Sequence, residues 1–284
     1  MNFDQALKQY RWHLFAIGLL LVAVYWQIMP AMVLEWYTDE NYSHGFLVPL
    51  IAGYFFWQRW PEVKAIPLEP SNWGLVVLLA GGFQLLFSWL GSEYFLMRSS
   101  LIVLLAGLVL FVFGREVLKG MALPLGYLFF MVPIPYLLYD MIAFPLKLFV
   151  TKVSVLFLQL CGVVVVREGN VIMFPTTTLE VADACSGIRS LISLVALALA
   201  YACIITIPPW KRVVLIVAAL PIAIATNASR VIVTGFLAQY WGAQAAQGFF
   251  HEFTGIVVFV LAMALLLVLG VLLKRLPPGT GRPT

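Results

Sequence analysis

The sequence predicts an all-α polytopic membrane protein with about eight transmembrane helices, an outer amphipathic helix and a small β-hairpin. Three observations carry that class. Hydrophobic residues make up 63% of the 284-residue chain and charged residues only 11%, whereas roughly a quarter of a soluble domain is charged. Apolar runs of about 20 residues, the length that crosses a bilayer, recur from end to end. The basic residues stand mostly between these runs, where membrane topology places them. The net charge of +4 is therefore a topology signal and not a nucleic-acid footprint. The three cysteines, Cys161, Cys185 and Cys203, form neither a disulfide framework nor a metal-ligand spacing. No nucleotide, cofactor or metal motif is visible, and none is expected.

The chain reads in order as one integral-membrane domain over 1–284. Five spans occupy 1–138. The first, His13–Val33, is too long for a signal-peptide core and lacks a small-residue cleavage site, so it reads as a retained helix. An acidic, aromatic loop, Glu35–Ser43, separates it from the second, Gly45–Trp57. The third is Trp73–Leu90 and the fourth Tyr94–Phe113. The fifth is Met121–Leu138, interrupted by Pro133 and Pro135.

Residues 139–184 differ in pattern. Over Asp140–Leu160, Lys147, Thr151 and Ser154 recur on one side and Ile142, Leu146, Phe149, Val153, Phe157 and Leu160 cover much of the other. That stripe predicts an amphipathic helix lying at the outer interface, with a spanning helix as the alternative. Val163–Phe174 has the composition of a hairpin turning at Gly169-Asn170, and Leu179–Ala182 adds a short strand leading toward Cys185. Three further spans fill 185–273: Gly187–Ile207, Val213–Leu237 and His251–Leu273. A basic tail, 274–284, follows.

With both ends inside, most of the 17 basic residues fall in inside segments, and the reverse orientation would turn the basic loops outward. This arrangement puts Cys185 at the outer end of the sixth span and His251 at the outer start of the eighth. Arg230 lies about 10 Å below the outer end of the seventh, at ~1.5 Å per residue. A thiol at a helix N-terminus, four residues before Arg189, is biased toward thiolate by the helix dipole and the guanidinium. An arginine inside a span is by default a functional residue. Thiolate, imidazole and guanidinium together support acyl transfer: attack on a peptide carbonyl, proton relay to the leaving amine, and stabilisation of the oxyanion.

These residues sit in stretches that carry a family resemblance. ACSGIRSL surrounds Cys185, NASR ends at Arg230, HEFTG begins at His251, and YSHGFLVP surrounds His44. Together they resemble the exosortase/archaeosortase family of membrane-embedded cysteine transpeptidases, over about residues 36 to 273. The resemblance implies Cys185, Arg230 and His251 as the catalytic trio. It implies a substrate class: exported proteins with a C-terminal tail made of a short Pro-Glu-Pro-like motif, a transmembrane helix and a basic cluster. It further implies an inner-membrane enzyme with a periplasmic active site, in systems associated with exopolysaccharide and biofilm.

Substrate contacts fall to Arg189, Asn227 and His44. The two arginines suit a substrate glutamate, and Asn227, three residues before Arg230, orients it or binds substrate backbone. Each has a plainer reading. Arg189 is a snorkelling side chain, His44 a strut for the loop near Tyr42 and Ser43, and Cys185 and His251 a buried thiol and an interfacial histidine. Cys161 and Cys203 read as structural. Two other functions remain open on sequence: a non-enzymatic transporter or assembly subunit whose intramembrane arginines bind an anion, and a plain protease that ends the same chemistry with water. The acceptor is not encoded in any visible motif.

Overall fold

The computed structural model describes residues 3–175, 177–181, 188–242 and 249–277, with backbone alone at 188 and 249–252. It divides into two compact units, Met1–Pro135 and Tyr136–Thr284.

In the first unit, a short helix α1 (Phe3–Gln9) precedes α2 (Arg11–Val24) and α3 (Ile28–Thr38). The first expected span is thus two helices, bent by 62°. Pro30 explains the restart: it cannot donate to the preceding turn, and the first turn of a new helix is where that loss is harmless. A 3₁₀ turn, Glu40–Phe46, leads to α4 (Leu47–Val63), and then come α5 (Trp73–Leu90) and α6 (Tyr94–Val112). The α5–α6 pair packs backbone to backbone, since a Cβ at Gly107 would lie 2.8 Å from the Leu78 nitrogen. Close approach through small residues is how helices associate in lipid, where no hydrophobic force separates one apolar surface from another.

Three successive polar residues on α6, Arg98, Ser99 and Ser100, are buried, and each is partnered. Arg98 Nη2 pairs with Glu35 Oε2 of α3 at 2.5 Å. Ser99 Oγ accepts from Gln84 Nε2 of α5 at 2.9 Å. Ser100 Oγ lies 2.5 Å from the hydroxyl of Tyr25, which ends α2 at the bend. Polar groups inside a membrane protein are costly unless satisfied internally, and here they bind the bent pair to the α5–α6 pair.

The fifth expected span is corrected. Its helix, α7, starts at Arg115 and ends at Tyr127, and a 3₁₀ turn, Leu128–Met131, carries the chain on. Pro133 and Pro135 block helical propagation beyond it.

The second unit opens with α8 (Tyr136–Leu160), one continuous helix of 25 residues. The stripe is turned the other way from an interfacial helix. Thr151 and Ser154 are fully buried, while Ile142, Phe149, Phe157 and Leu160 are exposed. The polar side faces protein, and α8 is long and apolar enough to cross a membrane, which favours the alternative of a spanning helix.

A three-stranded antiparallel sheet follows, in the order β1 (Val166–Glu168), β2 (Val171–Met173) and β3 (Thr178–Glu180). The hairpin was expected, and so was its turn. Glu168 pairs with Val171, and Gly169 takes φ +61°, the positive angle that a two-residue hairpin turn demands of its first residue. The unit ends with α9 (Ile188–Ile204), α10 (Pro209–Trp241) and α11 (Phe249–Arg275).

Two apolar clusters organise this unit. One joins α9, α10 and α11 through Leu194, Ala198, Leu215, Ala219, Ala262 and Leu266. The other joins α8, the sheet and α10 through Val150, Leu158, Val165, Ile172, Val181, Ala228 and Val231. Along α10 the first cluster ends at Ala223 and the second begins at Ala228, so the stretch 227–231 lies just past the point where the two cores meet. At the opposite end Lys211, 1% exposed, donates to the carbonyls of Leu273 at 2.8 Å and Leu276 at 2.6 Å. It thereby caps the C-terminus of α11, where a cation is favoured.

Among the described residues, five helices are long and apolar enough to span a membrane: α5, α6, α8, α10 and the Phe253–Arg275 part of α11. The bent α2–α3 pair makes up to six, and Arg189–Ile204 of α9 is a shorter apolar helix. The expected eight are therefore not reproduced as eight long apolar helices. Multi-pass character is retained; the count falls because the fifth run stops early and because α4 and α9 reach only 17 residues each, about 25 Å at ~1.5 Å per residue.

Candidate active site

The 33-residue α10 carries two of the candidate residues, Asn227 and Arg230. Its middle is polar and inward-facing: Thr226, Asn227, Arg230 and Thr234 are all buried. The two threonines close on their own helix, Thr226 Oγ1 donating to the Ile222 carbonyl at 2.8 Å and Thr234 Oγ1 to the Arg230 carbonyl at 2.9 Å. Their hydroxyls are thereby satisfied without a neighbour, while Asn227 and Arg230 point longer polar groups into the protein.

Arg230 reaches α11. A Cβ built on Gly255 would lie 3.2 Å from Arg230 Nη2 and 3.4 Å from Cζ. The guanidinium thus rests against bare backbone at Gly255, in space that a side chain there would contest. Residue 251 precedes Gly255 by one helical turn, about 6 Å along the axis. The backbone of α11 therefore places residue 251 one turn beyond the level of the Arg230 guanidinium. Arg230 at 9% exposure is a charge almost wholly removed from solvent, which is affordable in a membrane protein only where the surroundings serve it.

α8 fixes the same stretch from another side. Ser154 Oγ donates to the Ala228 carbonyl at 3.4 Å, and a Cβ at Gly235 would lie 2.8 Å from Leu158 Cδ1. The polar stripe on α8 thus serves a helix–helix contact next to Asn227.

Cys185 lies outside the described residues. The chain enters that segment at Val181 and leaves it at Ile188. Val181 is 2% exposed and belongs to the cluster that holds Ala228 and Val231. On the other side, α9 packs on α10 through Leu194 and Ala219. Both flanks of the Cys185 segment are therefore anchored on α10, one of them beside the turn carrying Arg230. Arg189, at the start of α9, is partly buried.

His44 belongs to the first unit. Its Nε2 lies 3.1 Å from the Phe130 carbonyl, in a loop also held by Trp36 Nε1 donating to the Met131 carbonyl and Tyr42 Oη to the Ile134 carbonyl. Burial pushes the His44 pKa below its usual value, opposed by the backbone hydrogen bonds. The strut reading of His44 accounts for these contacts. Cys161 is exposed, and Cys203 lies within α9.

Sequence reasoning missed two features of this architecture. Gly255 carries no chemistry of its own, although its place four residues after His251 in HEFTG is a visible sign. Glu35 stands in an acidic, aromatic loop stretch by sequence, and its match to Arg98 needs the fold to bring 35 and 98 together. Among the described residues no group of three or more His, Cys, Asp or Glu is placed to hold a metal ion.

A family model for transmembrane exosortases matches residues 36–268, a range that contains Arg98, Cys185, Arg189, Asn227, Arg230, His251 and Gly255. Neither the curated proteins nor the solved structures contain a match. The motifs, the inward-facing Arg230 and the family match agree, and the chain belongs to the transmembrane exosortase family.

Proposed function

We propose that this exosortase is a cysteine transpeptidase that removes the C-terminal sorting tail of exported proteins carrying a Pro-Glu-Pro-like motif. The observation that carries the reading is the approach of the Arg230 guanidinium to α11 at Gly255, one turn from His251. A family of membrane proteins acting on sorting signals supplies the substrate class.

The chemistry follows from the residue types. His251 takes the Cys185 proton, and the thiolate attacks the scissile carbonyl. Arg230 balances the negative charge that develops on the carbonyl oxygen, in surroundings where water does not screen it. Collapse of the tetrahedral species breaks the C–N bond. The imidazolium returns its proton to the leaving amine, and the substrate is left as a thioester on Cys185. An acceptor nucleophile then displaces the thiolate; water in that role makes the same enzyme a protease. Asn227 and Arg189 hold the substrate backbone and the motif glutamate. The site faces the periplasm from the inner membrane, consistent with basic segments kept inside, and the reaction serves protein sorting linked to exopolysaccharide export.

The test is co-expression with a tagged protein bearing such a tail, in wild-type and Cys185→Ala strains, followed by intact-mass measurement of the tagged product. Tail loss in the wild type alone supports the reading. An added mass on the new C-terminus identifies transfer and the acceptor, whereas a bare carboxylate identifies hydrolysis. Equal processing in both strains removes Cys185 from the chemistry.

A further inference from the structure

Among the described residues, the small sheet's first edge is held to α8 at the Val165 carbonyl and its last edge meets no backbone partner. Glu168 and Val171 flank the two-residue turn and pair with each other, and Val166 pairs with Met173. In an antiparallel ladder, alternate residues turn their N–H and C=O groups to opposite sides. Val165 and Arg167 of the first strand region therefore turn theirs outward, toward α8. That strand is held to α8 at two points: Gln159 Nε2 of α8 donates to the Val165 carbonyl at 3.0 Å, and the Arg167 side chain donates through Nη1 to the Leu148 carbonyl at 3.4 Å.

β3 is the other edge. Leu179 is opposite Ile172, the Phe174 N–H donates to the Thr177 carbonyl, and the Val181 N–H donates to the Asn170 carbonyl. Residues 177, 179 and 181 thus face β2, and Thr178 and Glu180 turn their backbone groups the other way. Both are exposed, and neither makes a backbone hydrogen bond on that side to any described residue. Proteins ordinarily blunt such an edge with a bulge, a proline, a lysine or a covering element. β3 carries no bulge, proline or lysine within its three residues, TLE; its shortness and the charge of Glu180 limit uncontrolled pairing without closing the edge.

We propose that the open edge of β3 is the docking strand for the substrate's extended recognition segment, which adds to the sheet as a fourth strand. The proposal rests on the cysteine-peptidase reading and deepens it. Val181 ends β3's pairing and is buried in the core beside α10, and Cys185 follows four residues later, at most about 14 Å of extended chain. Thr178, where an incoming strand would pair, is seven residues before Cys185, at most about 25 Å of extended chain, so a peptide paired with β3 is tethered within a few residues' reach of the thiol. Main-chain pairing supplies the affinity in this mode of recognition, and side chains supply the selectivity.

The register requirement matches the motif. Only alternate residues of the incoming strand face β3, so only those need an N–H. In a Pro-Glu-Pro-like segment the glutamate keeps its N–H, and both prolines turn outward, the orientation in which an edge strand tolerates them. The glutamate pairs opposite Thr178, because opposite Glu180 it would face a like charge.

Full-length enzyme in nanodiscs tests this in two arms. In the first, Thr178→Pro and Glu180→Pro delete outward-facing N–H groups and leave the β2–β3 ladder in place; Glu180→Pro also loses the Asn170 Nδ2–Glu180 Oε1 bond of 3.3 Å, so the melting temperature of each variant is measured alongside. Each variant is expected to raise KM for a tail peptide about tenfold, the loss of one or two backbone hydrogen bonds, with kcat little changed. Unchanged KM in both overturns the proposal. In the second, a photo-crosslinking residue at 178 in Cys185→Ala enzyme is expected to capture the tail peptide, and one at the exposed Val164 is not. Equal or absent capture at 178 overturns the proposal irrespective of turnover. If capture at 178 succeeds and the wild type never shortens the tail, β3 docking stands and the peptidase reading falls.

Discussion

The guanidinium of Arg230 lies against Gly255 so closely that a Cβ there would stand 3.2 Å from Nη2. The relation joins α10 to α11 where the candidate chemistry is densest. Gly255→Ala is expected to push the guanidinium by a few tenths of an ångström and to slow tail processing about tenfold, a barrier change near ~1.4 kcal/mol. Gly255→Leu displaces it and is expected to abolish processing. Arg230→Lys does not restore activity, because a point charge cannot reproduce the planar donor fork. Kinetics alongside melting temperatures check this; activity at the wild-type level in Gly255→Leu would remove Arg230's position from the mechanism.

Arg98 and Glu35 provide a stability prediction. The arginine side chain is 7% exposed and the glutamate 26%. Glu35→Ala leaves a nearly buried cation uncompensated and is expected to cost about 3–5 kcal/mol, whereas a paired apolar replacement, Arg98→Met with Glu35→Leu, is expected to be close to neutral. Unfolding of wild type, Arg98→Met, Glu35→Leu and the double variant in detergent closes the cycle. Additive losses would show that the two residues do not act as a pair.

Lys211 predicts a local effect. Its ammonium ties the last turn of α11 through two backbone carbonyls. Lys211→Met keeps the packing and loses both bonds, an expected cost of about 1.5–3 kcal/mol for hydrogen bonds to a charged group. Amide exchange should speed up around 272–276 and leave α5 and α6 unchanged.

His44 gives the pH dependence. Its folded pKa lies below the unfolded value because burial disfavours the imidazolium. The unfolded chain therefore binds the proton more readily, and the His44 contribution is fully present above the ordinary histidine pKa of about 6.5 and lost as pH falls below it. Melting temperature is expected to drop between about pH 7 and pH 5, and His44→Gln to flatten part of that slope.

The legibility of this chain in its sequence follows the range of the forces involved. The hairpin was readable because Gly169-Asn170 encodes its turn locally. The runs Trp73–Leu90 and Tyr94–Phe113 were readable because length and apolarity suffice, and they match α5 and α6 almost to the residue. Met121–Leu138 differs from the helix that forms because apolarity says nothing about where a helix begins, and α7 starts six residues earlier at Arg115. In α8 the period was right and the facing wrong. Thr151 and Ser154 are buried against α10, and periodicity cannot tell a polar stripe that faces headgroups from one that faces protein. Among the site residues, Arg230 announced itself as a charge in an apolar run. Gly255 did not, since its contribution is the absence of a side chain at a tertiary contact.

The most direct measurement is the mass of the enzyme itself during turnover. Wild-type protein in nanodiscs, mixed with a tail-bearing substrate and quenched in acid, is expected to carry the shortened substrate on the peptide containing Cys185, as a thioester released by neutral hydroxylamine. The adduct should be absent in Cys185→Ala and should fail to form in His251→Ala. A substrate shortened at the wild-type rate by Cys185→Ala enzyme, with no adduct at any time point in the wild type, would contradict the cysteine mechanism.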